Sequence, residues 1–116
     1  MPFRDVKRHF EDVLAAIDKI SEFLSGMDFD AYCSDDRTKS AVERKLQIIT
    51  EAVIRLEDDA QGAFPEIDHK GYRGMGNLLR HSYHRIDDLT VWSTVKEDLP
   101  LLRATVERLL SGSRNL

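Results

Sequence analysis

Apolar residues in this chain recur at three- and four-residue steps along three segments, a period that only helices satisfy. In the first segment, Val6, Phe10, Val13, Leu14, Ile17, Ile20 and Leu24 form a stripe. It predicts a helix from about Arg4 to Ser25, with Asp12, Asp18, Lys19 and Glu22 largely on the other side and Gly26 as the stop. In the second, Val42, Leu46, Ile49, Val53, Leu56 and Ala60 predict a long helix from a cap at Asp35-Asp36 to about Asp59. Ala41, Ile48 and Ala52 widen its apolar face, as expected of a helix buried on two sides, one able to contact both its own core and a second subunit. In the third, Leu102, Val106, Leu109 and Leu110 mark a helix that restarts at Asp98-Leu99-Pro100 and ends at Ser111-Gly112-Ser113. No run alternates with period two over a useful length, so no strands are expected.

The remaining pieces fit between these rods. Met27 to Ser34 reads as a short helical turn capped by Asp28, with Phe29 and Tyr32 facing inward. Gln61 to Ile67 is a loop, with Gly62 ending one helix and Pro65 delaying the next. Asp68 is a credible N-cap for a fourth helix, and Asp87 or Asp88 for a short one that runs through Lys96 and carries Val91, Trp92 and Val95. Glu43, Arg44, Lys45, Glu51, Arg55 and Glu57 read as a solvated face.

At 116 residues the chain is expected to be one domain spanning 1–116, able to bury a modest core. No apolar run approaches the length of a membrane span. The N-terminus lacks the charged-then-apolar layout of a secretory signal, and the single cysteine, Cys33, has no internal partner. Both point to a cytoplasmic protein. Cys33 reads as a small core residue.

One segment departs from this pattern. From His69 through Ile86 there is no acidic residue, although the chain carries a net charge of -4. Four fixed cations, three histidines and two tyrosines fall in that window. On a helix Arg73, Asn77 and His81 succeed one another at i, i+4, with Arg80 just before the histidine and Tyr83 just after it. An RNA strand is cut without metal when its 2′-hydroxyl attacks the adjacent phosphate. That reaction needs an acid or base working near neutral pH, which histidine offers, and a fixed cation on the phosphoryl oxygens, which the arginine fork fits. Asparagine can hold either in register, and tyrosines can stack on unpaired bases. A satisfied or solvent-facing histidine is the competing reading. The same helix carries Gly71, Gly74 and Gly76, each costing about 1 kcal/mol relative to alanine. Close approach of another helix explains them most simply; approach of a nucleic-acid backbone is the alternative. His81 and His84 lack a recognised metal-ligand spacing, and no phosphate-binding glycine loop or dinucleotide fingerprint is present.

At Gly74-Met75-Gly76-Asn77-Leu78-Leu79-Arg80-His81-Ser82-Tyr83 the sequence resembles the HepT-like proteins, HEPN-domain toxin partners of MNT-type nucleotidyltransferases. Ala41 to Ala52, Ile86-Asp87, Trp92 and Asp98-Leu99-Pro100-Leu101-Leu102 follow in the expected order. The resemblance implies an all-α, up-and-down bundle of four to five helices that dimerises, with motif residues of both subunits near a shared cleft. It implies a cofactor-free, metal-independent ribonuclease with an Arg-x4-6-His motif, toxic until a partner nucleotidyltransferase attaches AMP to the motif tyrosine. On this chain the histidine is His81, the polar residue before it Asn77 and the modified tyrosine Tyr83. The family's arginine precedes the asparagine, where this chain has Gly76. Arg73, with seven intervening residues before His81, or Arg80, adjacent to it, is left to supply the guanidinium. The alternative is a non-catalytic dimer that binds the nucleotidyltransferase or presents its substrate.

Overall fold

The computed structural model describes residues 3–81 and 86–114. Within them the chain is a bundle of helices without strands, in the order α1 (Phe3–Phe23), α2 (Phe29–Cys33), α3 (Asp36–Asp59), α4 (His69–His81), α5 (Asp88–Ser93) and α6 (Leu99–Arg114), the last two joined by a π-turn (Thr94–Asp98). It is all-α, as the periodicity and the resemblance predict. The molecule measures 46 × 29 × 19 Å, and its short axis is about two helix layers deep.

Local chemistry starts and stops each rod. Gly26 and Gly62 take left-handed backbone (φ 78° and 76°), which glycine adopts without strain, after α1 and α3. Asp28, Asp35, Asp68 and Asp87 accept the backbone N–H of Ala31, Thr38, Gly71 and Thr90 respectively. Each satisfies an amide the first helical turn leaves open. At Asp35 the Thr38 bonds, foremost its backbone N–H, hold the carboxyl below its usual range.

α3 is the spine. Its wide apolar face packs on α1 along one flank and α4 along the other, so two helices of the same chain account for its width. Phe10, Ile20, Leu46, Ile49, Leu56 and Val106 are among its fully buried neighbours and its own core residues. Of the six residues expected on a solvated face, only Arg44 and Arg55 are exposed and the rest are half-buried; Glu57 turns to His69, as described below. Trp92 is half-buried in an aromatic cluster, its ring centroid 5.8 Å from Phe29 and 5.4 Å from Tyr32. Lys39 is buried on α3, donating to the Cys33 carbonyl at 2.9 Å and to Asp88 Oδ2 at 3.2 Å, and so fastens α2 and α5 together. Cys33 is half-buried rather than a core residue; desolvation and the Asp88 charge raise its thiol pKa, which keeps it protonated.

The sequence predicts a break before Asp98, and the structure instead shows one continuous rod from Asp88 to Arg114. In a regular α-helix the Pro100 ring would meet the carbonyl four residues earlier. The π-turn, in which Leu99 N–H reaches the Thr94 carbonyl, opens the helix there and absorbs the proline without a stop.

Candidate active site on α4

α4 is laid against α3 at Gly76, which is buried as is Tyr72, while Arg73, Asn77, Arg80 and His81 are exposed along its outer edge. The three glycines have three different explanations. A Cβ on Gly71 would collide with the Asp68 capping carboxylate. A Cβ on Gly76 would lie 3.0 Å from Thr50 Oγ1 and 3.1 Å from Thr50 Cβ, so glycine lets α4 approach α3 closely. Gly74 faces open space. The helix-packing explanation therefore holds at Gly76 alone.

Arg80 Nη2 donates to Asn77 Oδ1 at 2.7 Å. Helical side chains lean toward the N-terminus, so an arginine one turn beyond Gly76 lies back over the turn holding Gly76 and Asn77. His81, the next residue, closes the helix beside it. Arg73 shares their edge but its guanidinium is elsewhere: Nη2 pairs with Asp58 Oδ1 of α3 at 3.6 Å. That contact is between two largely exposed side chains, of the kind worth about 0–1 kcal/mol. Tyr83 lies outside the described residues.

The Asp58 contact belongs to a set not anticipated from the sequence. Glu57, Asp58 and Asp59 end α3, where unpaired carbonyls already disfavour negative charge. Each acid holds a side chain from another helix: His69 Nε2 is 3.4 Å from Glu57, Arg73 pairs with Asp58, and His9 Nε2 donates to Asp59 Oδ2 at 2.9 Å. His69 Nε2 also lies 2.9 Å from the Phe64 carbonyl, so this nitrogen faces two acceptors and carries the hydrogen. Three consecutive acids at a helix C-terminus are a readable signal that donor side chains from other helices meet them. Among the described residues, no group of three or more His, Cys, Asp or Glu side chains is placed to hold a metal ion.

The other flank of α4 has the opposite character. Between α4 and the π-turn with α6 runs an open groove of about 290 Å³, floored by Tyr72 and Leu102 and rimmed by Glu66, Asp68 and Asp98. Burial first, then the Asp98 and Asp68 charges, push the Tyr72 hydroxyl well above the usual phenol range, so it stays protonated.

The fold defines an all-α helical bundle that displays histidine, arginine and asparagine together on one solvent-facing helix edge. Comparison with known proteins narrows this: residues 13–109 match the family "Ribonuclease HepT-like", and the chain belongs to it. It is 36% identical over 110 residues to "Putative RNase MJ0125" of Methanocaldococcus jannaschii, covering 95% of both chains. It is 37% identical over 106 residues to "Probable ribonuclease HepT" of Thermococcus cleftensis, covering 91% of this chain and 96% of that one. No solved structure matches the chain significantly.

Proposed function

We propose that this protein is a metal-independent endoribonuclease, the toxin of a toxin–antitoxin pair, with His81, Arg80 and Asn77 as its catalytic group. The observation that carries the reading is the Arg80–Asn77 hydrogen bond of 2.7 Å immediately beside exposed His81. Asn77 fixes a guanidinium that is otherwise free to wander, in a stretch of sequence with no carboxylate to compete for it. In the reaction the 2′-hydroxyl oxygen of RNA attacks its own phosphorus. His81 takes the hydroxyl proton or delivers one to the departing 5′-oxygen, and Arg80 balances charge on the non-bridging oxygens. The products are a 2′,3′-cyclic phosphate and a 5′-hydroxyl. One histidine serves one of those proton transfers at a time, and a homodimer that brings two His81 side chains to one cleft supplies both. Arg73, released from its weak pair with Asp58, is placed to reach a flanking phosphate.

The partner in this reading is a nucleotidyltransferase antitoxin that adds AMP to Tyr83, two residues from His81. The setting is cytoplasmic. Among the described residues, no helix is long and apolar enough to cross a membrane. The test is cleavage of single-stranded RNA in EDTA by protein freed of any partner. Wild type cleaves and leaves cyclic phosphate ends, while His81→Ala loses at least a hundredfold in rate with unchanged thermal unfolding. Intact RNA after incubation with the unmodified wild type would refute the reading. Gly76 at the position of the family's arginine favours a second reading, a non-catalytic dimer that holds the nucleotidyltransferase. In that case complex formation survives His81→Ala and no cleavage is seen with either protein.

A further inference from the structure

The groove between α4 and the π-turn with α6 is separate from the histidine edge and has no part in the reaction above. Its lining includes three carboxylates, Glu66, Asp68 and Asp98, and no basic side chain. Glu66 has a distant cation in Arg108 at 3.9 Å. Asp68 is engaged only as a helix cap, and neither it nor Asp98 has an ion pair among the described residues. The two stand on the rim of the same groove, one at the start of α4 and one at the end of the π-turn. Ile67, Met75 and Leu102 lie beneath, Thr94 and Thr105 add hydroxyls to the wall, and Leu101 is left 69% exposed at the edge. The groove thus offers apolar contact and negative charge side by side, the complement of a segment that carries both aliphatic and cationic side chains.

We propose that this groove docks a basic amphipathic helix of a second protein, with an aliphatic side chain on Leu101 and Leu102 and a lysine or arginine between Asp68 and Asp98. RNA is the wrong occupant, because three carboxylates repel phosphate. A small polyamine matches the charge but leaves Leu101 exposed. The π-turn is part of the device: it is the one departure from regular helix between Asp88 and Arg114, and it supplies both Thr94 and Asp98 to the wall. The inference stands whether or not the ribonuclease reading holds, because none of its residues is in the catalytic group.

The experiment uses the full chain and a synthetic amphipathic helical peptide, with leucines at i, i+3, i+4 and i+7 and lysines along both flanks. Binding is read by fluorescence anisotropy, with a matched peptide carrying glutamate for lysine and with spermidine as competitors. The lysine peptide binds and the glutamate peptide does not. Asp98→Lys and Leu101→Asp each weaken binding at least tenfold, and the milder Asp98→Asn weakens it by less. Asp12→Lys, on α1 away from the groove, leaves it unchanged. These positions are solvent-exposed, so the variants are expected to fold, and circular dichroism checks that they do. Equal binding of both peptides, displacement by equimolar spermidine, or an Asp98→Lys protein that binds as wild type would each overturn the proposal. So would an Asp98→Lys protein whose affinity for single-stranded RNA rises tenfold while peptide binding holds, since the groove would then be one that RNA enters.

Discussion

Alanine at Gly76 and alanine at Gly74 form a pair of perturbations in which one physical effect cancels. Both sit in the interior of α4, and replacing either glycine gains about 1 kcal/mol of helix propensity. Gly74 has no heavy atom within 4 Å of a built Cβ, so Gly74→Ala is expected to raise stability by nearly all of that amount. At Gly76 the new methyl meets Thr50 Oγ1 at 3.0 Å and Thr50 Cβ at 3.1 Å, with Ile54 Cδ1 at 3.6 Å. Relaxed carbon contacts lie at about 3.5–4.0 Å, so the neighbour must yield roughly half an ångström. Thr50 is poorly placed to do so. It is fully buried, β-branched and pinned by its hydroxyl, which donates to the Gln47 carbonyl at 2.8 Å. The helix must move instead, and overpacking of this kind costs about 1–3 kcal/mol. Gly76→Ala is therefore expected to come out between neutral and about 2 kcal/mol destabilising.

The quantity to measure is the difference between the two variants, which removes propensity and leaves the contact. Urea unfolding at neutral pH should separate them by about 1–3 kcal/mol with equal slopes. If Gly76→Ala is as stabilising as Gly74→Ala, α4 does not approach α3 as closely as described, and the account of Gly76 as a packing glycine is wrong.

Arg80→Ala should reduce RNA cleavage by about a hundred- to a thousandfold, the usual effect of deleting one charge-stabilising donor, while Arg73→Ala costs less than tenfold because its guanidinium already faces Asp58. Single-turnover kinetics distinguish the two, and equal losses would undo the assignment of Arg80. Tyr72 gives a pH prediction: its folded-state pKa is raised by burial, Asp98 and Asp68, so its contribution to stability is intact below pH ~10 and is lost as pH rises further, where the unfolded chain ionises first. Tyr72→Phe should flatten the alkaline limb of a melting-temperature profile above pH ~10 and leave neutral pH little changed; an unaltered limb would mean that Tyr72 is not shielded.

The features readable in advance are those that depend on residues a few positions apart. The caps at Asp28, Asp35, Asp68 and Asp87 each act on an amide three residues on, and the stripes on α1 and α3 repeat within a turn or two. What escaped the sequence depends on partners far along the chain. Gly76 is explained by Thr50, Arg73 is drawn off by Asp58, and Lys39 is buried because Cys33 and Asp88 come to meet it. The width of α3's apolar face is met by α1 on one flank and α4 on the other, helices distant from it in sequence. The π-turn escaped because Pro100 permits either a stop or a widened turn, and packing of Val91 and Leu102 on one core selects the second. The acidic groove was invisible for a related reason: Asp68 and Asp98 are thirty residues apart and come to one groove only in the fold.

In the ribonuclease reading proposed above, Gly76 and Arg80 are one change, a guanidinium carried at 80 rather than at 76. The two positions are a turn apart, so they differ by about 40° around the helix and about 6 Å along it. An arginine stem spans that distance, and helical side chains lean the right way to recover it. Moving the guanidinium from 76 to 80 thus leaves the charge over nearly the same patch, where Asn77 now holds it. Moving the side chain away from 76 has a separate consequence, since it lets α4 close onto Thr50. A chain that had lost its chemistry would gain the close packing with glycine alone. It would have no need of a second arginine one turn on, tethered at 2.7 Å to the residue beside the vacated position. That tether is why the relocation reading is preferred over loss of catalysis, and it is what the comparison of Arg80 with Arg73 puts at risk.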